Sequence, residues 1–437
     1  MKKFAMILLV ALLCVVLAGC QAQDGVKVNG NASATAEPKS EATAEPTAEP
    51  TAEPTAEPAS KFVALDWDTI EECAAENFTY EFFDTYDLGT EDEITGVRLL
   101  TYTGSSAIIK VPDAIEGCVV LEADINRLFK GNTVITHVSL PVHMRVYDEG
   151  YDMSCFFQNC TSLQQVQMPM GCIQISEKMF EGCTSLRLVE FDADEEHPIA
   201  VREIRDEAFA GCTALTEIEL PESVKRIDSE AFSGCVNLEA FKAHGATRLG
   251  SEVFADCFKL KEVEISVASD GIDWDVTGST FSNCSALESI TLVESEAASK
   301  GTRQRVFENG ALYLVESNDP EDIRVSLLYL PIANSETAIL RDDIDAISRF
   351  AMDGCTFREL TIPASVMNIS SYAIIHCPNL EIIRFAEGSA LNELGDSIRY
   401  CEMLTTLDLT HVEAEAAAGF SFDFDYCPNL NNIIMPQ

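Results

Sequence analysis

Over most of this chain, apolar and polar positions recur in one fixed order. Phe209-Ala210-Gly211-Cys212-Thr213-Ala214-Leu215-Thr216-Glu217-Ile218-Glu219-Leu220-Pro221 is a clear copy of the unit. An aromatic stands three residues before the cysteine, a leucine three after it, and apolar residues six and eight after it. The unit returns at Cys160, Cys183, Cys212, Cys235, Cys257, Cys284, Cys355, Cys377, Cys401 and Cys427. Its Leu-x-x-Ile-x-Leu ending has period two, which predicts a short strand with one face inward. One such coil cannot bury its apolar face alone, so neighbouring coils must stack and pair their strands into a parallel sheet. The pattern therefore predicts a mainly β chain with little helix, built as a solenoid.

The aromatic position is filled by Phe157, Phe180, Phe209, Phe232, Phe254, Phe281 and Phe424. Gly, Asn or Asp precedes the cysteine at Asn159, Gly182, Gly211, Gly234, Asp256, Asn283 and Gly354. These types tolerate positive φ and predict a tight corner. Proline after several strands (Pro141, Pro169, Pro221, Pro363, Pro436) marks their exit, since it cannot continue a ladder. A degenerate earlier copy has Asn132 in place of the cysteine. Departures are Met352 at the aromatic position and lengthened coils at 192–200, 266–277 and 412–420. The long gap from Cys284 to Cys355 predicts a hairpin insertion near 306–331, with strands from Val306 to Val315 and from Ile323 to Pro331, read as decoration on a coil.

The first sixty residues read differently. Lys2-Lys3, an apolar run from Phe4 to Leu17 and small residues before Cys20 make an export signal. Leu17-Ala18-Gly19-Cys20 resembles the lipobox of bacterial lipoproteins, which implies a diacylglyceryl group on Cys20. Thr-Ala-Glu-Pro then repeats up to residue 58. Regular proline blocks helix and sheet, and glutamate keeps the stretch solvated. The expected organisation is a lipoprotein signal peptide over 1–19, a lipid-anchored disordered tether over 20–60, an N-terminal cap over 61–105 and the solenoid over 106–437. Within the cap, Asp66 to Phe78 reads as a short helix with an acidic first turn. Phe78 to Tyr86 and Ile94 to Tyr102 read as strands.

The coil resembles the BspA-type leucine-rich repeat of bacterial surface proteins. Ile204-Arg205-Asp206-Glu207-Ala208-Phe209-Ala210-Gly211-Cys212 and Ile227-Asp228-Ser229-Glu230-Ala231-Phe232-Ser233-Gly234-Cys235 follow its Ile-x-x-x-Ala-Phe-x-x-Cys signature, and Ile108-Ile109-Lys110-Val111-Pro112 follows its lead-in. The resemblance implies a leucine-rich-repeat solenoid with a parallel sheet on one face. It also implies an extracytoplasmic, surface-exposed protein with an adhesin-like role, and it transfers no binding residue.

Composition narrows the partners. With 29 basic against 72 acidic residues the net charge is −43, which excludes nucleic acid as a ligand because phosphate binding needs clustered cations. Membrane contact is expected through the lipid anchor only. No Cys-x-x-Cys pair, His-Glu-x-x-His or Gly-x-Ser-x-Gly occurs, so neither metal, cofactor nor catalytic residues are expected. The ladder cysteines read as free, buried packing residues in preference to disulfides. Cys73, Cys118, Cys155 and Cys172, off the ladder, are the better disulfide candidates. Seven residues after the cysteines stand Gln167, Glu190, Glu219, Lys242, Glu264, Thr291, Arg384 and Asp408. In register these would line the solvent face of the sheet, with Glu219, Lys242 and Glu264 alternating in sign. That row is the candidate binding face for an extracellular protein or glycan. The competing reading is an envelope scaffold or assembly protein without an external ligand.

Overall fold

The computed structural model describes residues 62–437 except 87–92, 125, 146, 149–150, 171, 192–198, 246–247, 268–277, 295–302, 320–321, 336–339 and 421–425. The expected signal peptide, Cys20 and the tether, together with Phe424, lie outside the described residues.

The fold is mainly β, with stacked parallel sheets. Strands β1 (Phe78–Tyr86) and β2 (Glu93–Tyr102) form an antiparallel hairpin. The next strands are β3 (Ile108–Lys110), β4 (Cys118–Ala123), β5 (His137–Ser139), β6 (Gln165–Met168) and β7 (Leu188–Phe191). β2 pairs in parallel with β4, while β3, β5, β6 and β7 form one parallel sheet. A second parallel sheet contains β8 (Glu217–Glu219), β9 (Ala240–Ala243), β10 (Glu262–Val267) and β11 (Ser289–Glu294). On another side of the same coils, the two-residue strands Gln174–Ile175, Glu203–Ile204, Arg226–Ile227 and Arg248–Leu249 stack in parallel.

The repeating aromatic forms a continuous column. Phe157, Phe180, Phe209 and Phe232 stack with ring centroids 5.4, 5.2 and 5.1 Å apart, and Phe254 and Phe281 extend the column. Beside it runs a column of free, buried cysteines. Each thiol donates to the carbonyl oxygen of the phenylalanine one coil earlier: Cys183 to Phe157 at 3.0 Å, Cys235 to Phe209 at 3.2 Å, Cys284 to Phe254 at 3.0 Å. A small apolar side chain with one weak donor suits this position, since it fills the core and satisfies a buried acceptor.

The insertion differs from expectation. It has three strands, β12 (Arg303–Glu308), β13 (Ala311–Asp319) and β14 (Asp322–Tyr329), in an antiparallel meander. Asn309 and Gly310 turn the chain between β12 and β13 with φ of 52° and 79°, the positive pair that a tight hairpin with right-handed twist requires. Nor is it decoration. Leu312, Leu314, Leu328 and Tyr329 belong to the core of the preceding coils, whereas Ala311, Tyr313, Val325 and Leu327 belong to the core of the following ones. Strand alternation thus makes the meander a wall between two cores.

At its end the meander replaces a coil. The Tyr329 ring stacks on Phe281 at 5.2 Å and its hydroxyl donates to the Phe281 oxygen at 3.3 Å. The next ladder thiol, Cys355, donates to Leu330, although at a longer 3.7 Å. Beyond it, β15 (Glu359–Ile362), β16 (Ile382–Phe385), β17 (Thr406–Asp408) and β18 (Asn432–Ile434) form the third parallel sheet. The lengthened coil at 412–420 carries the one α-helix among the described residues, Ala414–Gly419.

The expected helix from Asp66 to Phe78 is instead two 3-10 turns, Trp67–Thr69 and Ala75–Asn77. Asp66 does cap its turn, accepting from the Asp68 amide at 3.1 Å. Between the turns the amide of Cys73 donates to Lys110 of β3 at 2.7 Å, which takes a donor away from any continuous helix. None of Cys73, Cys118, Cys155 and Cys172 is disulfide-bonded; all four are free.

Candidate binding face

The register places the candidate residues in three short rows. Gln167 pairs with Glu190 across β6 and β7. Glu219, Lys242, Glu264 and Thr291 are successive partners across β8 to β11. Arg384 pairs with Asp408 across β16 and β17. These rows lie on three separate sheets, so they do not form one uninterrupted face.

The first row is already occupied. Residues 62–73 run across β7, β6 and β3 as a strap over the outer side of the sheet. The Trp67 indole donates to Glu190 Oε2 at 2.9 Å, and the Gln165 amide donates to the same oxygen at 2.7 Å. Gln165 also holds the backbone of Leu65 at both ends: the Leu65 amide donates to its Oε1 at 2.7 Å, and its Nε2 donates to the Leu65 oxygen at 3.1 Å. Lys110 donates to the Trp67 oxygen at 3.1 Å, and Arg187 lies over the Phe62 ring. Trp67 and Gln165 are buried in consequence. Gln167 accepts from Ser139 at 2.7 Å. The candidate face therefore excludes Glu190, whose carboxylate serves the strap. Sequence reasoning missed the strap; its signal was the apolar run Phe62-Val63-Ala64-Leu65 directly after the polar tether.

The second row is open. Glu219, Lys242 and Thr291 are exposed. Glu264 lies 3.9 Å from the Lys242 ammonium and 2.8 Å from the His244 ring, so the expected alternation of sign becomes an actual contact. In the third row Arg384 pairs with Glu359 of β15. Asp408 accepts from the Thr410 hydroxyl, and that bond holds its carboxyl below the usual range. Among the described residues no three His, Cys, Asp or Glu side chains are grouped to hold a metal, and no helix is long and apolar enough to cross a membrane.

The model of the BspA type leucine rich repeat region matches residues 151–273, 193–309 and 332–437, in six copies. The chain belongs to this BspA-type family. Among solved structures it is similar to a leucine rich cell surface protein from Faecalibacterium prausnitzii A2-165, with 22% identity over 81% of this chain and 92% of that one, at a TM-score of 0.46. It is also similar to a leucine-rich repeat protein from Bacteroides ovatus ATCC 8483, with 18% identity over 84% of this chain and 89% of the other, at a TM-score of 0.46. No curated protein matches it. The Phe-x-x-Cys corner of the BspA-type coil is the element that builds both the ring column and the thiol column described above.

Proposed function

We propose that this BspA-type chain is a lipid-anchored surface protein that displays its solenoid for binding an extracellular protein or glycan, and that it does no catalysis. In this reading Cys20 carries the lipid, residues 20–60 are the spacer, and residues 61–105 close the first end of the stack. The observation that carries the reading is the open outer face of β8 to β11, where strand register arrays Glu219, Lys242, Glu264 and Thr291 toward solvent. Repeat arrays present extended surfaces for recognition. The cell-surface description of the Faecalibacterium neighbour is consistent with that placement.

The test is capture of extracellular-matrix proteins, host-cell extracts and a glycan array by the purified full chain. The expected result is a saturable ligand lost on Glu219→Lys or Glu264→Lys with folding intact. Co-purification of an envelope protein alone, unaffected by those substitutions, would establish the scaffold reading instead.

A further inference from the structure

We propose that the outer face of β8 to β11 receives an extended, basic polypeptide segment of a partner protein, with an arginine or lysine seated over Ala240 between Glu217 and Glu262. The proposal rests on the binding reading above and names the ligand class of that face.

The strap supplies the geometry. On the first sheet the outer face already holds a chain segment that crosses the strands, turned once at Trp67–Thr69, and Gln165 grips its backbone at Leu65. Gln165 lies five residues after its ladder cysteine. The same position in the second sheet is the row Glu217, Ala240, Glu262 and Ser289, which the parallel register aligns side by side. The two sheets thus offer equivalent rows; one is covered by a chain segment and the other is open, with Glu217 and Glu262 exposed.

Charge and shape select the occupant. The carboxylates of Glu217 and Glu262 enter no ion pair among the described residues, unlike Glu264 in the adjoining row; Lys261 acts on Glu262 through space but is itself bonded to Glu239. Ala240 stands between them with the smallest side chain of the row. Strands lie ~4.8 Å apart, so the two carboxylates flank a gap of roughly 10 Å floored by a methyl group. A guanidinium or ammonium fits there with its alkyl stem on Ala240, and meets an acceptor on each side. The repeated Thr-Ala-Glu-Pro segment of this chain has the wrong sign for the slot, so the segment comes from another protein.

The experiment is fluorescence anisotropy with the full chain and an unstructured peptide of alternating arginine and serine, with a glutamate–serine peptide as control. Because the net charge of −43 attracts any polycation, variants decide the location. Glu217→Gln with Glu262→Gln should weaken binding ~10-fold or more, and so should Ala240→Leu, which fills the slot without altering charge. Glu387→Gln with Glu402→Gln, an equal loss of charge elsewhere, should leave affinity nearly unchanged. Equal weakening by both pairs, or no effect of Ala240→Leu in a variant with native circular dichroism, would overturn the proposal. If the basic peptide fails to bind while the capture experiment still yields a ligand lost on Glu219→Lys, only this inference falls. If neither binds, the binding reading falls with it.

Discussion

The thiol of Cys212 donates at 3.2 Å to the backbone oxygen of Phe180, and that oxygen also accepts the amide of Cys183 at 3.0 Å. One carbonyl thus serves its own coil and the next. Replacing Cys212 removes a buried bond between coils and some packing. Cys212→Ala should destabilise by about 1–3 kcal/mol in urea titration. Cys212→Val, which leaves little cavity, isolates the loss of the bond and should cost about 1 kcal/mol. No change in either variant would remove the thiol ladder from the account of stability.

Alkaline pH should unfold the chain through the same column. Burial pushes the Cys160 thiol up to about 11 and that of Cys235 up to about 12. An unfolded thiol ionises near pH ~8.5. Above that value the unfolded chain releases protons that the folded chain retains, so stability is full below it and falls as pH rises toward 11–12. Urea midpoints at pH 7, 9 and 10.5 should decrease in that order; equal midpoints would contradict it.

At the junction of the two cores, Gly278 lies against the backbone of Phe350. A Cβ there would stand 1.7 Å from the Phe350 oxygen, so the two segments must part to admit one. Gly278→Ala should cost about 1–3 kcal/mol as overpacking, read from thermal denaturation. An unshifted midpoint would mean that this contact opens freely.

The strap should detach when its aromatic anchor goes. Trp67→Ala removes the bond to Glu190 and a buried ring. Limited proteolysis should then cut within 62–73 at least ~10-fold faster, because opening frees a segment held by few contacts. Equal cleavage of both proteins would show that Gln165 and Leu65 suffice.

The anchor has a simple assay in cells. Cys20→Ser should release the chain from membranes into the soluble fraction, since a single thiol carries the expected lipid. Retention after an alkaline wash would refute lipidation at Cys20.

The solenoid was legible because a stack repeats its demands. Each coil must place a ring, a thiol and a leucine inward, so Phe209, Cys212 and Leu215 signal the same geometry as Phe232, Cys235 and Leu238. The rows through Glu219 and Lys242 followed from period two. The strap left only the short apolar run from Phe62 to Leu65 as a trace, because its grip is a glutamine side chain on the backbone of Leu65, and such contacts leave no periodicity. The meander was misread for a different reason. Asn309-Gly310 was an available turn signal, but apolar residues on both sides suggested one continuous strand. The helix expected from Asp66 failed because Lys110, far along the chain, claims the amide of Cys73.

The meander between the two cores also sets how this array can change over generations. Coils from Cys160 to Cys284 share the same ring and thiol at each junction, so one could be duplicated or lost there and its neighbours would still meet matching partners. In the three coils past Tyr329 the aromatic gives way to Met352, Ile374 and Ile398, before Phe424 restores it in the sequence of the last copy. A coil copied across that wall would present a ring where the next coil expects an aliphatic side chain. Two alphabets thus meet in this molecule, joined by a meander whose strands β13 and β14 spell both.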